Sequence, residues 1–432
     1  MTAELVIMNK EAIAIAADSA STIGSKIYTT NKVFMLSKFC PIGIMIFGNA
    51  EVMGVPWELI IKLFRDYIVT DQPYERLEDY AHTFIDFLDN NKHLFPKKQQ
   101  IRWVEAIITH NFIKIKKDFE KRLDRNSSSE NKNHTIDVCI NKQLERLESE
   151  VSLLWKNRSR AHIKMVSGPH YKLIDEIRDE TFKDISLDTN SKYKLERIAA
   201  LSFYNNATGI VIAGFGQHDL FPVTVTYAIG GLINNQLVYE KSNENRITFN
   251  KPADIVPFAQ SDVINTYLNG IEPEFDRYLQ EDVIPTIIET HVDGFVKYIL
   301  SDLKEEIGDE KLLKKLTKNY NELKEEVKPI INNLKSDMMK LKVKGNRKPI
   351  ETAIAFLPKD ELAIMAESLL TITSLKRKYS IFSLESVGGD IDVAVISKSD
   401  GFVWIKRKHY FDKELNHHFF RNYFNKPMKD YK

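Results

Sequence analysis

Strand signals in this sequence come in clusters that bracket long helical stretches, and no other feature narrows the fold as far. Residues 3–8 and 12–17 are short apolar runs separated by the polar step Asn9-Lys10-Glu11. That pattern predicts two strands joined by a tight hairpin. Lys26 to Leu36 continues in the same style, and Pro41 to Phe47 is a nearly all-apolar run closed by Gly48-Asn49-Ala50. Its short length and bounding turn residues read as a buried strand rather than a helix. Strand character returns over Thr208–Gly214, Pro222–Gly231 and Asn235–Glu240, and again over Asp392–Ser397 and Gly401–Arg407.

Between the clusters the period changes. Trp57, Ile60, Ile61, Phe64, Tyr67 and Ile68 follow the spacing of one apolar helix face, with Pro56 suited to its first turn. Residues 71–205 are helical in texture and heavily charged, which reads as a helical insertion. Helical texture also covers Asp262–Leu303 and Lys359–Lys376. Leu316, Tyr320, Leu323, Val327, Ile330, Leu334 and Leu341 step mostly by four and three, as in a coiled-coil seam. Pro329 interrupts that seam, so 304–347 reads as a kinked helix or a helical hairpin. The order predicts an α+β chain with sheets covered by helices rather than a βαβ repeat. The aromatic, basic tail 409–432 is expected to pack on the body.

Composition excludes several classes. A formal net charge of +1 gives no strong field toward nucleic acid or membrane. The two cysteines, Cys40 and Cys139, support neither a disulfide framework nor a cysteine-rich zinc site, and suit a reducing cytoplasm. No signal-peptide order is visible, and no run approaches the ~18 apolar residues of a membrane helix. His417-His418 lacks acidic or cysteine company and reads as surface or packing. The lysine-rich stretches near 114–125 and 335–348 alternate with acids and read as solvated helix faces.

The chemistry-bearing residues sit near the first strands. If Met1 is removed, Thr2 presents an α-amine and a β-hydroxyl on one residue, a nucleophile carrying its own base. The α-amine titrates near ~8, so a neutral fraction is available to take the hydroxyl proton. Asp18, ending the second strand of the hairpin, folds back toward the start of the first, and Lys32 is able to reach the same place. The N–H of Gly48, at the end of a buried strand, is a natural oxyanion donor.

Thr2, Ala16-Ala17-Asp18, Thr22-Ile23-Gly24, Asn31-Lys32-Val33 and Phe47-Gly48-Asn49-Ala50 follow one another in an order that resembles proteasome β subunits and HslV-type peptidases. Val211–Phe215 with Pro222 and Gly230-Gly231, and Ser386-Val387-Gly388-Gly389 before DVAVI, resemble the central and closing hairpins of the same family. The segment from Asp18 to Lys32 is two residues shorter than in that pattern. The resemblance implies an N-terminal nucleophile (Ntn) hydrolase. Its fold is a four-layer αββα sandwich of two antiparallel sheets, formed by 2–70, 206–303 and 348–408. It implies Thr2 as nucleophile, Asp18 holding Lys32, Lys32 tuning the amine, and Gly48 as oxyanion donor. Glu385, Ser386 and Ser261 fall near the places of supporting acid and serine groups, and Thr22 and Gly24 near those of substrate contacts. No metal or cofactor is implied. The implied partners are a polypeptide or amide substrate, further copies of the chain, as in a ring, and an unfoldase or regulator. Two alternatives stand beside this reading: a catalytically silent binding or assembly protein, and a small-molecule amidase of the same fold.

Overall fold

The computed structural model describes residues 3–23, 26–37, 40–68, 73–125, 132–150, 168, 170–205, 208–287, 290, 294, 328–379, 388–409, 411–418 and 421. Two five-stranded antiparallel sheets dominate it. The first runs β12-β1-β2-β13-β14, from β1 (Ala3–Asn9), β2 (Ala12–Asp18), β12 (Ala253–Ala259), β13 (Ile391–Ser397) and β14 (Gly401–Lys406). The second runs β11-β10-β9-β6-β5, from β5 (Val33–Met35), β6 (Ile42–Phe47), β9 (Thr208–Gly214), β10 (Val223–Ile233) and β11 (Gln236–Arg246). Two small hairpins, β3 (Ala20–Ile23) with β4 (Lys26–Thr29) and β7 (Glu51–Val52) with β8 (Val55–Pro56), complete the strands among the described residues.

Strands β1, β2, β9 and β13 are buried at every position, which explains their near-continuous apolar sequences. Each has a covered layer on both faces. Along β1, Val6 and Met8 meet Met45, Val211 and Ala213 of the other sheet, while Leu5 and Ile7 face a helical layer. Along β2 the same alternation puts Ile13 and Ile15 between the sheets and Ala12, Ala14 and Ala16 under helices. Those alanines offer little bulk, so the long helix Lys359–Lys378 packs closely there through Leu362, Ala363, Ala366 and Leu370. The second sheet is covered by α1 (Trp57–Tyr67) and α2 (Leu77–Asn90) through Trp57, Ile60, Phe64 and Phe84 against Ile44, Ile210 and Val225. The result is helix, sheet, sheet, helix: the α+β sandwich with antiparallel sheets.

Helices α3 (Lys97–Arg125), α4 (Lys132–Glu150), α5 (170–181) and α6 (Thr189–Asn205) build a separate apolar core from Ile108, Phe112, Ile140, Ile177 and Ile198. Ile233 and Val238 of the β10–β11 hairpin join that core. Most of the 304–347 stretch, and Phe419, Phe420 and Tyr423 of the tail, lie outside the described residues. Residues 328–342 are helical.

Strand β12 is a departure from the sequence reading. Pro257 sits inside it, and a proline inside a run argues against an interior strand. It is tolerated because β12 is the edge of its sheet and pairs only with β1, from Ala3↔Ala259 to Asn9↔Ala253. Tyr67 also departs: it is 60% exposed, while Trp57, Ile60, Ile61 and Phe64 carry the buried face of α1.

Candidate active site

Asp18 closes β2 with its side chain 2% exposed. A buried carboxylate is costly unless its oxygens are occupied. Here three donors serve it. Oδ1 accepts the Lys32 ammonium at 2.5 Å and the Ala3 backbone N–H at 3.0 Å, and Oδ2 accepts the Gly388 N–H at 3.0 Å. The Gly388 carbonyl in turn accepts the Ala20 N–H at 3.0 Å. Gly389 follows at φ +76°, and a Cβ there would lie 2.5 Å from Ser19 Oγ. The left-handed backbone conformation there calls for glycine.

Lys32 is 4% exposed and immediately precedes β5 in the opposite sheet. Its carbonyl accepts the Ile46 N–H at 2.9 Å, which extends the β5–β6 register by one step. The ammonium therefore crosses from the second sheet to an acid on the first. The two-residue shortening between Asp18 and Lys32 has a simple resolution. Residues 20–29 form the β3–β4 hairpin, and the Thr30 N–H donates to the Ser19 carbonyl at 2.8 Å across its base. A closed hairpin returns the chain to the same point whatever its length.

Glu4 was not singled out from the sequence, yet it belongs to this cluster. It is fully buried, and its Oε1 lies 3.5 Å from Lys32 Nζ. On β1 it opposes Ala17 and Phe258, and it shares the parity of Val6 and Met8, which point between the sheets. A lone acid inside a seven-residue apolar strand was the available signal.

Gly48 follows β6 at φ +86° and is exposed. The peptides around it are held by the Thr208 hydroxyl, which donates to the Asn49 carbonyl at 2.8 Å, lies 3.3 Å from the Phe47 carbonyl and accepts Trp57 Nε1–H at 2.9 Å. The Phe47 ring packs on Phe258, centroids 5.2 Å apart, and Phe258 is the cross-strand partner of Glu4. The loop is thus tied to the same end of the sandwich as Asp18 and Lys32. Ser261 is half-buried at the start of helix Asp262–Asn269, two residues past Ala259, the partner of Ala3. Thr22 pairs with Ile27 in the β3–β4 hairpin. Thr2, Gly24, Glu385, Ser386 and the Thr22 side chain lie outside the described residues.

The assembled groups are two buried carboxylates, one buried ammonium and the Ala3 and Gly388 amides, at the start of β1. Such a set fixes the ammonium and biases the protonation of groups placed next to it. Among the described residues, no three His, Cys, Asp or Glu side chains form a group suited to a metal ion. Among them too, no helix is long and apolar enough to cross a membrane.

No family model and no curated protein matches the chain. Among solved structures, the helical assembly of the Anbu complex from Pseudomonas aeruginosa is similar at TM-score 0.34 and 9% identity over 100% of both chains. A Gly-1 mutant of Anbu from Hyphomicrobium sp. strain MC1 follows at TM-score 0.29 and 8% identity over 99% of both. Anbu from Yersinia bercovieri, described as an ancestral beta-subunit, stands at 0.27 and 9% over 100% of both. Likeness this low carries no functional argument. The assignment to proteasome β subunits and HslV-type peptidases is corrected on these findings: no family model supports it, and the similar structures are Anbu proteins. The motifs behind it are two to five residues long, and short motifs of that kind do not separate one family from its relatives.

Proposed function

We propose that this chain hydrolyses amide bonds, with the Thr2 hydroxyl as nucleophile once Met1 is removed. The observation that carries the reading is the shared oxygen of Asp18: Oδ1 binds both the Lys32 ammonium and the Ala3 N–H. A buried cation therefore lies beside the residue that follows Thr2. An ammonium there lowers the proton affinity of a neighbouring amine and stabilises an alkoxide.

In the proposed cycle the neutral α-amine of Thr2 takes the hydroxyl proton as Oγ attacks the substrate carbonyl. The Gly48 N–H binds the oxyanion. The amine then passes the proton to the leaving nitrogen as the C–N bond breaks, leaving an ester on Oγ. Water, deprotonated by the same amine, attacks the ester, and the proton returns to Oγ as the acid departs. Asp18 and Lys32 act as orienting and electrostatic groups. Ser261, Glu385 and Ser386 are assigned supporting roles, and Thr22 and Gly24 contacts to an extended peptide or other amide. The chain is assigned to the cytoplasm, where Cys40 and Cys139, both free thiols, stay reduced.

Self-association is part of the proposal. Leu59, Leu63 and Tyr67 on α1, and Ile364, Ile372 and Leu375 on helix Lys359–Lys378, are exposed apolar side chains on the two outer layers. Mass photometry tests it, and a monomer at micromolar concentration overturns it.

The decisive experiment for the hydrolase pairs intact-mass measurement with turnover of fluorogenic peptides and small amides. Loss of Met1, together with turnover that disappears in Thr2→Ala, is the expected result. Retained Met1 refutes the mechanism, because a blocked amine is no base.

A further inference from the structure

We infer that Glu4 is a positioning residue for the nucleophile: it is the second anion that holds the Lys32 ammonium at the start of β1. This rests on the hydrolase reading above. Asp18 is already committed, with one oxygen shared between Lys32 and Ala3 and the other bound to Gly388. It holds Lys32 from one side only. A single contact to a long, rotatable side chain leaves the remaining ammonium protons free to turn about the C–N axis. Glu4 removes that freedom. Its carboxylate stands 3.5 Å from Nζ, one residue after Ala3, whose N–H shares Asp18 Oδ1 with that ammonium. With Asp18 at 2.5 Å and Glu4 at 3.5 Å, the ammonium is drawn by two acids of the first sheet at once.

The strand explains why an acid is able to stand here. Glu4 opposes Ala17 and Phe258, both members of the apolar layer between the sheets. Burial in this apolar setting strengthens the attraction between the acid and the ammonium. A neutral side chain of equal shape would keep the packing and lose that attraction. Glu4 needs no contact with substrate and exchanges no proton in the cycle. Its effect is on the rate of attack, not on substrate binding.

The test uses the full chain and a peptide β-lactone that acylates N-terminal threonine, with labelling at Thr2 located by mass spectrometry and Thr2→Ala as control. The inactivation rate kinact and the binding constant KI are measured separately, beside the melting temperature. For Glu4→Gln we expect kinact to fall about 10- to 100-fold, the scale of one lost contact to a charged group, with KI unchanged. Wild-type kinact in Glu4→Gln overturns the inference and leaves the hydrolase standing. A loss confined to KI does the same. A wild-type chain that has lost Met1 but is never labelled removes the hydrolase reading, and this inference with it. If Glu4→Gln does not fold, Glu4→Asp carries the test. It keeps the charge and withdraws it from Lys32 by one methylene, so kinact falls while KI holds, and an unchanged kinact overturns the inference.

Discussion

Replacing Asp18 by alanine tests whether the end of β2 depends on this carboxylate. The change strips three donors at once: the Lys32 ammonium at 2.5 Å and the N–H groups of Ala3 and Gly388 at 3.0 Å each. Breaking a buried ion pair by deleting one partner costs about 3–5 kcal/mol. Glu4 stays at 3.5 Å from Lys32 as a second partner, which takes that figure to its lower end. Each orphaned N–H adds about 1 kcal/mol. The expected loss is about 5 kcal/mol, large against the roughly 5–15 kcal/mol of a whole domain. Asp18→Asn keeps the shape and one acceptor oxygen, but turns an amide donor toward a donor, so about half that loss is expected. Urea unfolding followed by circular dichroism and by tryptophan fluorescence reads both values, and coincident curves justify a two-state treatment. A loss for Asp18→Ala within the ~0.5 kcal/mol typical of surface positions would refute the argument. So would an asparagine variant as damaged as the alanine one.

Three further outcomes follow from the same geometry. Gly389→Ala puts a Cβ 2.5 Å from Ser19 Oγ at φ +76°, and about 1–3 kcal/mol of stability should be lost, read by thermal melting. Burial, with the nearby Asp118 charge, pushes the Cys139 thiol up to about 11, so Ellman's reagent at pH 8 should modify the half-buried Cys40 quickly and Cys139 only on unfolding. Burial lowers the pKa of His170, so the unfolded chain binds the extra proton first. Stability should therefore fall as pH drops below the unfolded value of ~6.5, and His170→Gln should flatten that slope in pH-dependent urea titrations.

Short strands bounded by turn residues were legible because burial on both faces demands unbroken apolar runs. Strands β1, β2, β6, β9 and β13 all have that character. Strand β12 was not legible, since Pro257 reads as a breaker until the strand is known to be an edge. The meeting of Asp18 and Lys32 was legible from the hairpin returning one and a later strand delivering the other. Two parts of the cluster were hidden. Glu4 is an acid in an apolar strand, and its approach to Lys32 depends on an inter-sheet direction that one sequence does not reveal. Gly388 donates to Asp18 from 370 residues away, and no local pattern encodes such a contact.

That separation has a consequence in time. Asp18, Lys32 and Glu4 emerge from a ribosome almost together, while Gly388 comes some 370 residues later. At about 5–20 residues per second, a growing chain waits roughly 20–75 s before Asp18 receives its last donor. The first sheet likewise waits for β13, the neighbour of β2. An unfinished chain thus holds the acid and the amine without the frame that fixes them. A hydrolase built this way would stay silent on the ribosome and become competent only once its final hairpin has docked.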